Sequence, residues 1–163
     1  MPDSKKILNE VVITRIFDAP PELVWKAWTE PEHFKKWWGP KDCISPACKI
    51  DLRIGGKYLF CMRLKDGQEY WSTGAYKEII PNERLVFSHS FADENGNIVP
   101  ATYYGFEGDF ELEMEITVTF REIDGQPGKT KMILRQVGMP DSYIEPMNKG
   151  WNESFDKLKE SLK

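Results

Sequence analysis

Apolar and polar side chains alternate along several segments of the chain, which is the pattern of β-strands with one buried face. The longest alternation covers residues 110–122, where every second residue is apolar. Further strands are predicted over five shorter segments, which are residues 10–17, 57–64, 69–80, 84–91 and 130–137. Turns at Gly55-Gly56 and Asp66-Gly67 separate neighbouring segments. The pattern therefore predicts an antiparallel meander of six or seven strands.

Two short helices are predicted directly after the first strand. The first begins at Pro20-Pro21, where proline suits the start of a helix, and ends at Thr29. The run Thr29-Glu30-Pro31-Glu32 then has the form of a capping box, with Thr29 as the cap and Glu32 reaching back. The capping box predicts that a second helix starts there.

The C-terminal residues 146–162 have the spacing of an amphipathic helix. Their apolar stripe consists of Met147, Trp151, Phe155, Leu158 and Leu162, and Lys157 is assigned to the solvated face. Such a helix is about 25 Å long, and six strands at ~4.8 Å spacing have a similar width. We therefore predict an α+β fold in which a curved antiparallel sheet wraps this long helix.

Residues 92–109 interrupt what would otherwise be a hairpin. The segment contains Asn95-Gly96 and the aromatic run Tyr103-Tyr104-Gly105-Phe106. Long loops inside compact domains are often functional, and we expect this one to act as a lid. The whole chain, residues 1–163, has the length of a single domain.

Charge and cysteine content narrow the choice of partners and location. The chain has 22 Lys and Arg against 26 Asp and Glu, without a basic face, so a nucleic-acid partner is not expected. Cys43, Cys48 and Cys61 are odd in number and form no Cys-x-x-Cys pair, which favours a reducing compartment. The N-terminus lacks a signal-peptide pattern, and no apolar run is long enough for membrane insertion. We expect a cytoplasmic protein.

Several motifs along nearly the whole chain occur in an order and spacing that is specific as a set. They are Arg15-x-Phe17-Asp18-Ala19-Pro20-Pro21-Glu22-x-Val24-Trp25, Trp37-Trp38-Gly39-Pro40, Asp51-Leu52-Arg53-x-Gly55-Gly56, Pro81-Asn82-Glu83-Arg84-Leu85 and Gly150-Trp151. In these motifs the chain resembles the heat-shock-protein-90 ATPase activator homologue family of the START-like, or SRPBCC, superfamily. The resemblance implies a helix-grip, Bet v 1-like fold with a cavity for an apolar ligand between the sheet and the last helix.

Large side chains on the predicted inner faces are the candidate walls of that cavity. The predicted ligand-binding residues are Trp28, Trp38, Tyr58, Phe60, Met62, Trp71, Phe87, His89, Tyr104, Met114, Ile116, Met147, Trp151 and Phe155. Strand alternation places His89 on the face of Phe87 and Phe91. Two interpretations of His89 stay open, a polar group that orients a ligand and a histidine bonded to a neighbour at the rim of the sheet.

The leading functional hypothesis is binding or carriage of a small hydrophobic molecule, aromatic, polyketide-like or lipid-like. No Gly-x-Ser-x-Gly, phosphate-loop or His-Glu-x-x-His motif occurs, and neither a metal nor a cofactor is expected. One alternative is an enzyme that acts on the bound ligand through His89. Another is a chaperone or protein-interaction module, and the sequence leaves open whether two chains form a homodimer.

Overall fold

A single antiparallel sheet of seven strands forms most of the domain in the computed structural model, which describes residues 10–163. The strands are β1 (Glu10–Phe17), β2 (Cys48–Ile50), β3 (Lys57–Arg63), β4 (Glu69–Ile80), β5 (Arg84–Ala92), β6 (Met114–Ile123) and β7 (Gln126–Val137). Their order across the sheet is β1-β7-β6-β5-β4-β3-β2, so the first strand pairs with the last. The predicted α+β class and the antiparallel meander are confirmed.

Within residues 10–163, three α-helices accompany the sheet: α1 (Pro21–Thr29), α2 (Pro31–Phe34) and α3 (Ile144–Ser161). Short 3-10 turns cover Ala101–Tyr104 and Asp141–Tyr143. The curved sheet holds α3 as predicted, and the buried residues of α3 include Trp151, Phe155 and Leu158. Among residues 10–163, no helix combines the length and the apolar character needed to cross a membrane.

The predicted capping box at the start of α2 is wrong. The hydroxyl of Thr29 is buried and donates to the carbonyl oxygen of Trp25 at 2.9 Å, four residues earlier, so it caps nothing. Glu30 takes the position before α2 and provides no side-chain cap. The reason is that α1 continues through Thr29, which turns this hydroxyl back along its own helix.

The strand predicted over residues 110–122 begins four residues later than the alternation indicates. A hairpin with Asn95-Gly96 at its tip folds back on the end of β5, where Val99 N–H donates to the carbonyl of Phe91 at 2.9 Å. That edge of β5 is therefore occupied, and β6 pairs with it only from Met114, opposite His89. Leu112 is consequently exposed instead of buried.

Aromatic side chains fill the space between the sheet and the three helices. Trp28 lies at the centre, with its indole ring 4.8 Å from Trp37, 6.3 Å from Phe87 and 6.0 Å from Trp151 between ring centroids. Its Nε1–H donates to the Sδ of Met132 at 3.3 Å. Ring pairs at such separations add stabilisation beyond that of the buried area, and a buried indole N–H needs a partner.

Candidate functional site

A polar pair, His89 and Tyr58, lies among the aromatic residues on the inner face of the sheet. The Nδ1 of His89 is 2.8 Å from the hydroxyl of Tyr58, and that hydroxyl donates to the carbonyl oxygen of Ser88 at 2.7 Å. Tyr58 belongs to β3 and His89 to β5, so the contact spans β4, which runs between them. His89 faces inward and is bonded to a neighbour, while its role toward a ligand stays a prediction.

Gly74 of β4 makes this contact across the sheet feasible. It pairs directly with Tyr58, and a Cβ at this position would overlap the carbonyl of Ser88 and come within 2.9 Å of the Tyr58 ring. The absence of a side chain lets the ring lie over β4 and place its hydroxyl on β5.

Burial keeps both members of the pair uncharged at neutral pH. Removal from water lowers the pKa of His89 to about 4, and no charged side chain contributes to this shift. Burial also raises the pKa of Tyr58 well above its usual range, with a smaller contribution from Tyr76. The site therefore offers neutral hydrogen-bonding groups in an apolar setting.

A second buried polar group, Gln136, lies on β7. Its Oε1 accepts a hydrogen bond of 2.7 Å from the indole N–H of Trp151, and its amide nitrogen is 3.6 Å from the Sδ of Met114. Gln136 was not among the predicted site residues. Leu134 and Met132, two and four residues earlier, alternate inward on the same strand, and this alternation is the signal that could have identified Gln136.

Nine of the fourteen predicted residues are buried together in the core. They are Trp28, Trp38, Tyr58, Phe60, Phe87, Met114, Ile116, Trp151 and Phe155. Adjacent rings approach closely, with centroid separations of 4.1 Å between Tyr58 and Phe60 and 5.4 Å between Trp38 and Trp151. A ligand in the predicted cavity would have to displace some of these side chains.

The other five predicted residues lie at or outside the margin of this core. Met62, His89 and Met147 are partly exposed and lie on the same side of the sheet as the core. The prediction placed Trp71 on the wrong face of the sheet. Trp71 pairs with Cys61, and paired residues of antiparallel strands share a face. Because the neighbours of Cys61 point inward, Cys61 and Trp71 both point outward. Tyr104 lies in the loop between β5 and β6.

That loop, residues 93–113, contributes to a group of partly exposed rings that we call the aromatic cluster. Its members are Tyr70, Phe91, Tyr104, Phe106, Phe110 and Tyr143. Phe106 is central, with centroids 5.3 Å from Phe91, 5.6 Å from Tyr70 and 5.8 Å from Tyr143. The cluster thus connects β4 and β5 to the turn before α3, and its member Phe91 follows His89 by two residues on β5. Phe106 belongs to the aromatic run of the predicted lid. The other members, Tyr70, Phe91, Phe110 and Tyr143, were not predicted as site residues, because their contacts join distant segments.

Two pockets of the described chain lie away from the predicted residues. One, of about 510 Å³, is a groove between Lys36, Lys41 and the polar side of α3. The other, of about 130 Å³, lies against the loop from Val99 to Leu112. Neither is lined by a residue of the predicted set.

Residues 18–163 match the model of the family described as Activator of Hsp90 ATPase homolog 1-like protein. The chain belongs to this family. The resemblance seen in the sequence motifs is therefore confirmed, whereas no protein of curated function matches the chain.

Solved structures of bacterial proteins share the fold of this family member. A protein from Chromobacterium violaceum is 26% identical, with a TM-score of 0.75 over 94% of this chain and 96% of the other. A protein from Arthrobacter aurescens is 22% identical, with a TM-score of 0.76 over 99% and 89% of the two chains. The AHSA1 protein from Silicibacter pomeroyi is 20% identical, with a TM-score of 0.73 over 94% and 96%. The predicted helix-grip architecture is confirmed by these likenesses.

Within residues 10–163, no group of three or more His, Cys, Asp or Glu side chains is arranged to hold a metal ion. Burial raises the pKa of Cys48 to about 12 and that of Cys61 to about 11, so both are protonated thiols at neutral pH.

Proposed function

We propose that this protein binds a small apolar molecule, aromatic, polyketide-like or lipid-like, between the inner face of the sheet and α3. Membership of the family supports a ligand-binding or activator-domain role. The observation that favours ligand binding is the His89–Tyr58 pair, a neutral polar group among aromatic rings at the margin of the core. An apolar site with few polar groups is typical of small-molecule recognition.

The aromatic cluster is the proposed entrance. Its rings are partly exposed, and Phe106 and Phe110 sit on a loop whose displacement does not break the ladder between β5 and β6. In this proposal the ligand replaces some of the contacts between rings of the cluster. The apolar surface of the rings that becomes exposed when the loop moves is then covered by the ligand. The loop then acts as the lid expected from the sequence.

Thermal unfolding in the presence of 2-naphthol, quercetin and oleate tests the proposal. A ligand at 100 times its dissociation constant stabilises the folded state by about 2.7 kcal/mol. For a domain of this size, that corresponds to a rise in Tm of roughly 5–10 °C. No shift with any of the three probes would contradict the proposed function.

A pair of charge-introducing variants locates the site. Met147 precedes Trp151 by one helical turn on the same stripe of α3 and is partly exposed. Met147→Glu places a carboxylate beside the proposed site and is expected to weaken binding at least about tenfold. Val12→Glu introduces the same charge on the exposed outer face of β1 and serves as the control. Equal loss in both variants would place the ligand elsewhere.

The proposal includes a cytoplasmic location, which the free thiols of Cys43, Cys48 and Cys61 support.

An activator role through contact with a chaperone is the second candidate, because the family model carries that description. Measuring the ATPase rate of heat-shock protein 90 with and without the purified protein tests it. An unchanged rate would leave ligand binding as the remaining role.

A further inference from the structure

We propose that the Nε2 atom of His89 accepts a hydrogen bond from the ligand, so that the site prefers hydroxylated aromatic molecules, such as phenols, over apolar molecules without a donor. This inference rests on the proposed function and specifies its ligand class. It follows from where the protons of the His89–Tyr58 pair must lie.

The Tyr58 hydroxyl has a single proton, which it donates to the carbonyl oxygen of Ser88. A carbonyl oxygen only accepts, so the 2.7 Å contact with the carbonyl of Ser88 requires Tyr58 to be the donor. The 2.8 Å contact between the Tyr58 oxygen and His89 then requires Nδ1 of His89 to carry a proton and donate. A neutral imidazole carries only one such proton, so Nε2 is left as an acceptor with a free lone pair.

The Nε2 atom has no hydrogen-bond partner among residues 10–163, and His89 is partly exposed. Only the hydroxyl oxygens of Ser45 and Ser90 are fully buried without a hydrogen bond in that part of the chain. Nε2 of His89 is not in that group and makes no hydrogen bond within residues 10–163, so that part of the chain does not fully enclose it. An acceptor at the margin of an apolar core is unsatisfied until water or a ligand donates to it.

The surroundings of the ring select the rest of the ligand. The centroid of His89 is 6.0 Å from Trp38, edge to face, and 6.2 Å from Tyr58 in a nearly parallel orientation. Met114 is its cross-strand neighbour on β6. These aromatic and thioether groups favour packing against a flat apolar ring of the ligand. A neutral acceptor, in contrast, has neither a proton to donate nor a positive charge that would bind a carboxylate. Phenols therefore fit this site better than ionised fatty acids.

Nitrogen-15 NMR of the histidine rings tests the proton assignment without any ligand. We expect Nδ1 of His89 to show a shift typical of a protonated ring nitrogen, and Nε2 a shift typical of an unprotonated one. Tyr58→Phe removes the hydroxyl that fixes this arrangement and should move both signals toward an average of the two tautomers. The reverse assignment in the unaltered protein would overturn the inference.

Binding of a matched ligand pair tests the preference itself. 2-Naphthol donates a hydrogen bond, and 2-methoxynaphthalene has a similar body but no donor. Quenching of tryptophan fluorescence gives both dissociation constants, and we expect 2-naphthol to bind roughly threefold to tenfold more tightly. His89→Phe should abolish the difference, whereas Tyr103→Phe, at an exposed loop position, should retain it.

The possible results separate this inference from the proposed function. Equal affinities in the unaltered protein, or a preference that survives in His89→Phe, would overturn the inference and leave apolar ligand binding intact. Binding of neither naphthalene would contradict both. If His89→Phe does not fold, His89→Leu replaces it, and an undiminished preference for 2-naphthol in that variant would overturn the role of His89.

Discussion

The indole N–H of Trp151 on α3 donates a hydrogen bond of 2.7 Å to the side-chain oxygen of Gln136 on β7. Both side chains are buried, so this bond connects the helix to the sheet inside the core. A buried polar pair of this kind fixes the rotation of a helix more strictly than apolar packing does, because only one orientation satisfies both partners.

Replacing Gln136 is expected to destabilise the protein. Gln136→Leu keeps an apolar side chain of similar size but leaves the Trp151 N–H without an acceptor, which costs about 1–3 kcal/mol of unfolding free energy. Urea denaturation measures the loss. Combining it with Trp151→Phe, which removes the donor, should cost less than the sum of the two single changes. Strict additivity would show that the bond contributes nothing.

Replacing Gly74 with any larger residue is expected to destabilise the protein. In Gly74→Ala the new methyl group would collide with the backbone of Ser88, which cannot move without breaking the sheet, and with the Tyr58 ring. We expect a loss of about 3 kcal/mol in unfolding free energy. Gly128→Ala, an exposed strand position with nothing within 4 Å of the added carbon, is the matched control. Similar stabilities of the two variants would contradict the steric argument.

The sheet and α3 were predictable from the sequence because their signals are local. The pattern of apolar and polar residues predicted β1 and β4 with the bounds that the structure shows. An apolar stripe at spacings of three and four residues predicted α3. The start of β6 was not predictable, since its alternation continues into residues 110–113. Only the hairpin that occupies the edge of β5 stops the ladder there.

The candidate site was predictable in its apolar residues but not in its polar contacts. Period-two alternation places His89 and Tyr58 on the inner face. The hydrogen bond between them, however, depends on the register of three strands and on the missing side chain of Gly74. Trp71 was assigned to the wrong face because its pairing with Cys61 is fixed by strand register, which a single segment does not reveal.

Tyr104 is expected to hold the loop between β5 and β6 in place. Its hydroxyl donates to the carbonyl of Ala92 at 2.5 Å and accepts from the N–H of Trp71 at 3.1 Å. Tyr104→Phe leaves these two backbone groups unpaired, so residues 101–104 should exchange their amide hydrogens faster. Global stability should fall by about 1–2 kcal/mol. Tyr103→Phe, with its side chain exposed, is the control, and equal exchange in both variants would contradict the tether.

Lys157 is expected to stabilise the fold, although its position suggests a solvated face. Its ammonium group donates to the carbonyls of Pro40 at 3.2 Å and Cys43 at 3.0 Å, and desolvation lowers its pKa. Lys157→Met should cost about 1–2 kcal/mol in urea denaturation, because both carbonyls lose their donor. Lys149→Met, at an exposed position of the same helix, should leave stability nearly unchanged. Equal effects would show that the bonds to the loop are unimportant.

His89 is expected to make folding stability depend on pH between about 4 and 6.5. In the unfolded chain His89 binds a proton below its ordinary pKa of 6.5, whereas in the folded protein burial delays protonation to about pH 4. The unfolded state therefore holds more protons in this interval, so stability rises with pH and is lost on acidification. The contribution of His89 to that loss is about 3 kcal/mol by pH 4.

Comparing the unaltered protein with His89→Phe isolates this contribution. Carboxylates and His33, whose pKa is also lowered by burial and by Lys36, titrate in the same range but are present in both proteins. Urea denaturation at a series of pH values should give a steeper decline for the unaltered protein from pH 6.5 to 4. Parallel curves would mean that His89 takes up its proton equally easily in both states. A histidine of that kind would be fully hydrated, and the apolar surroundings assigned to the site would be wrong.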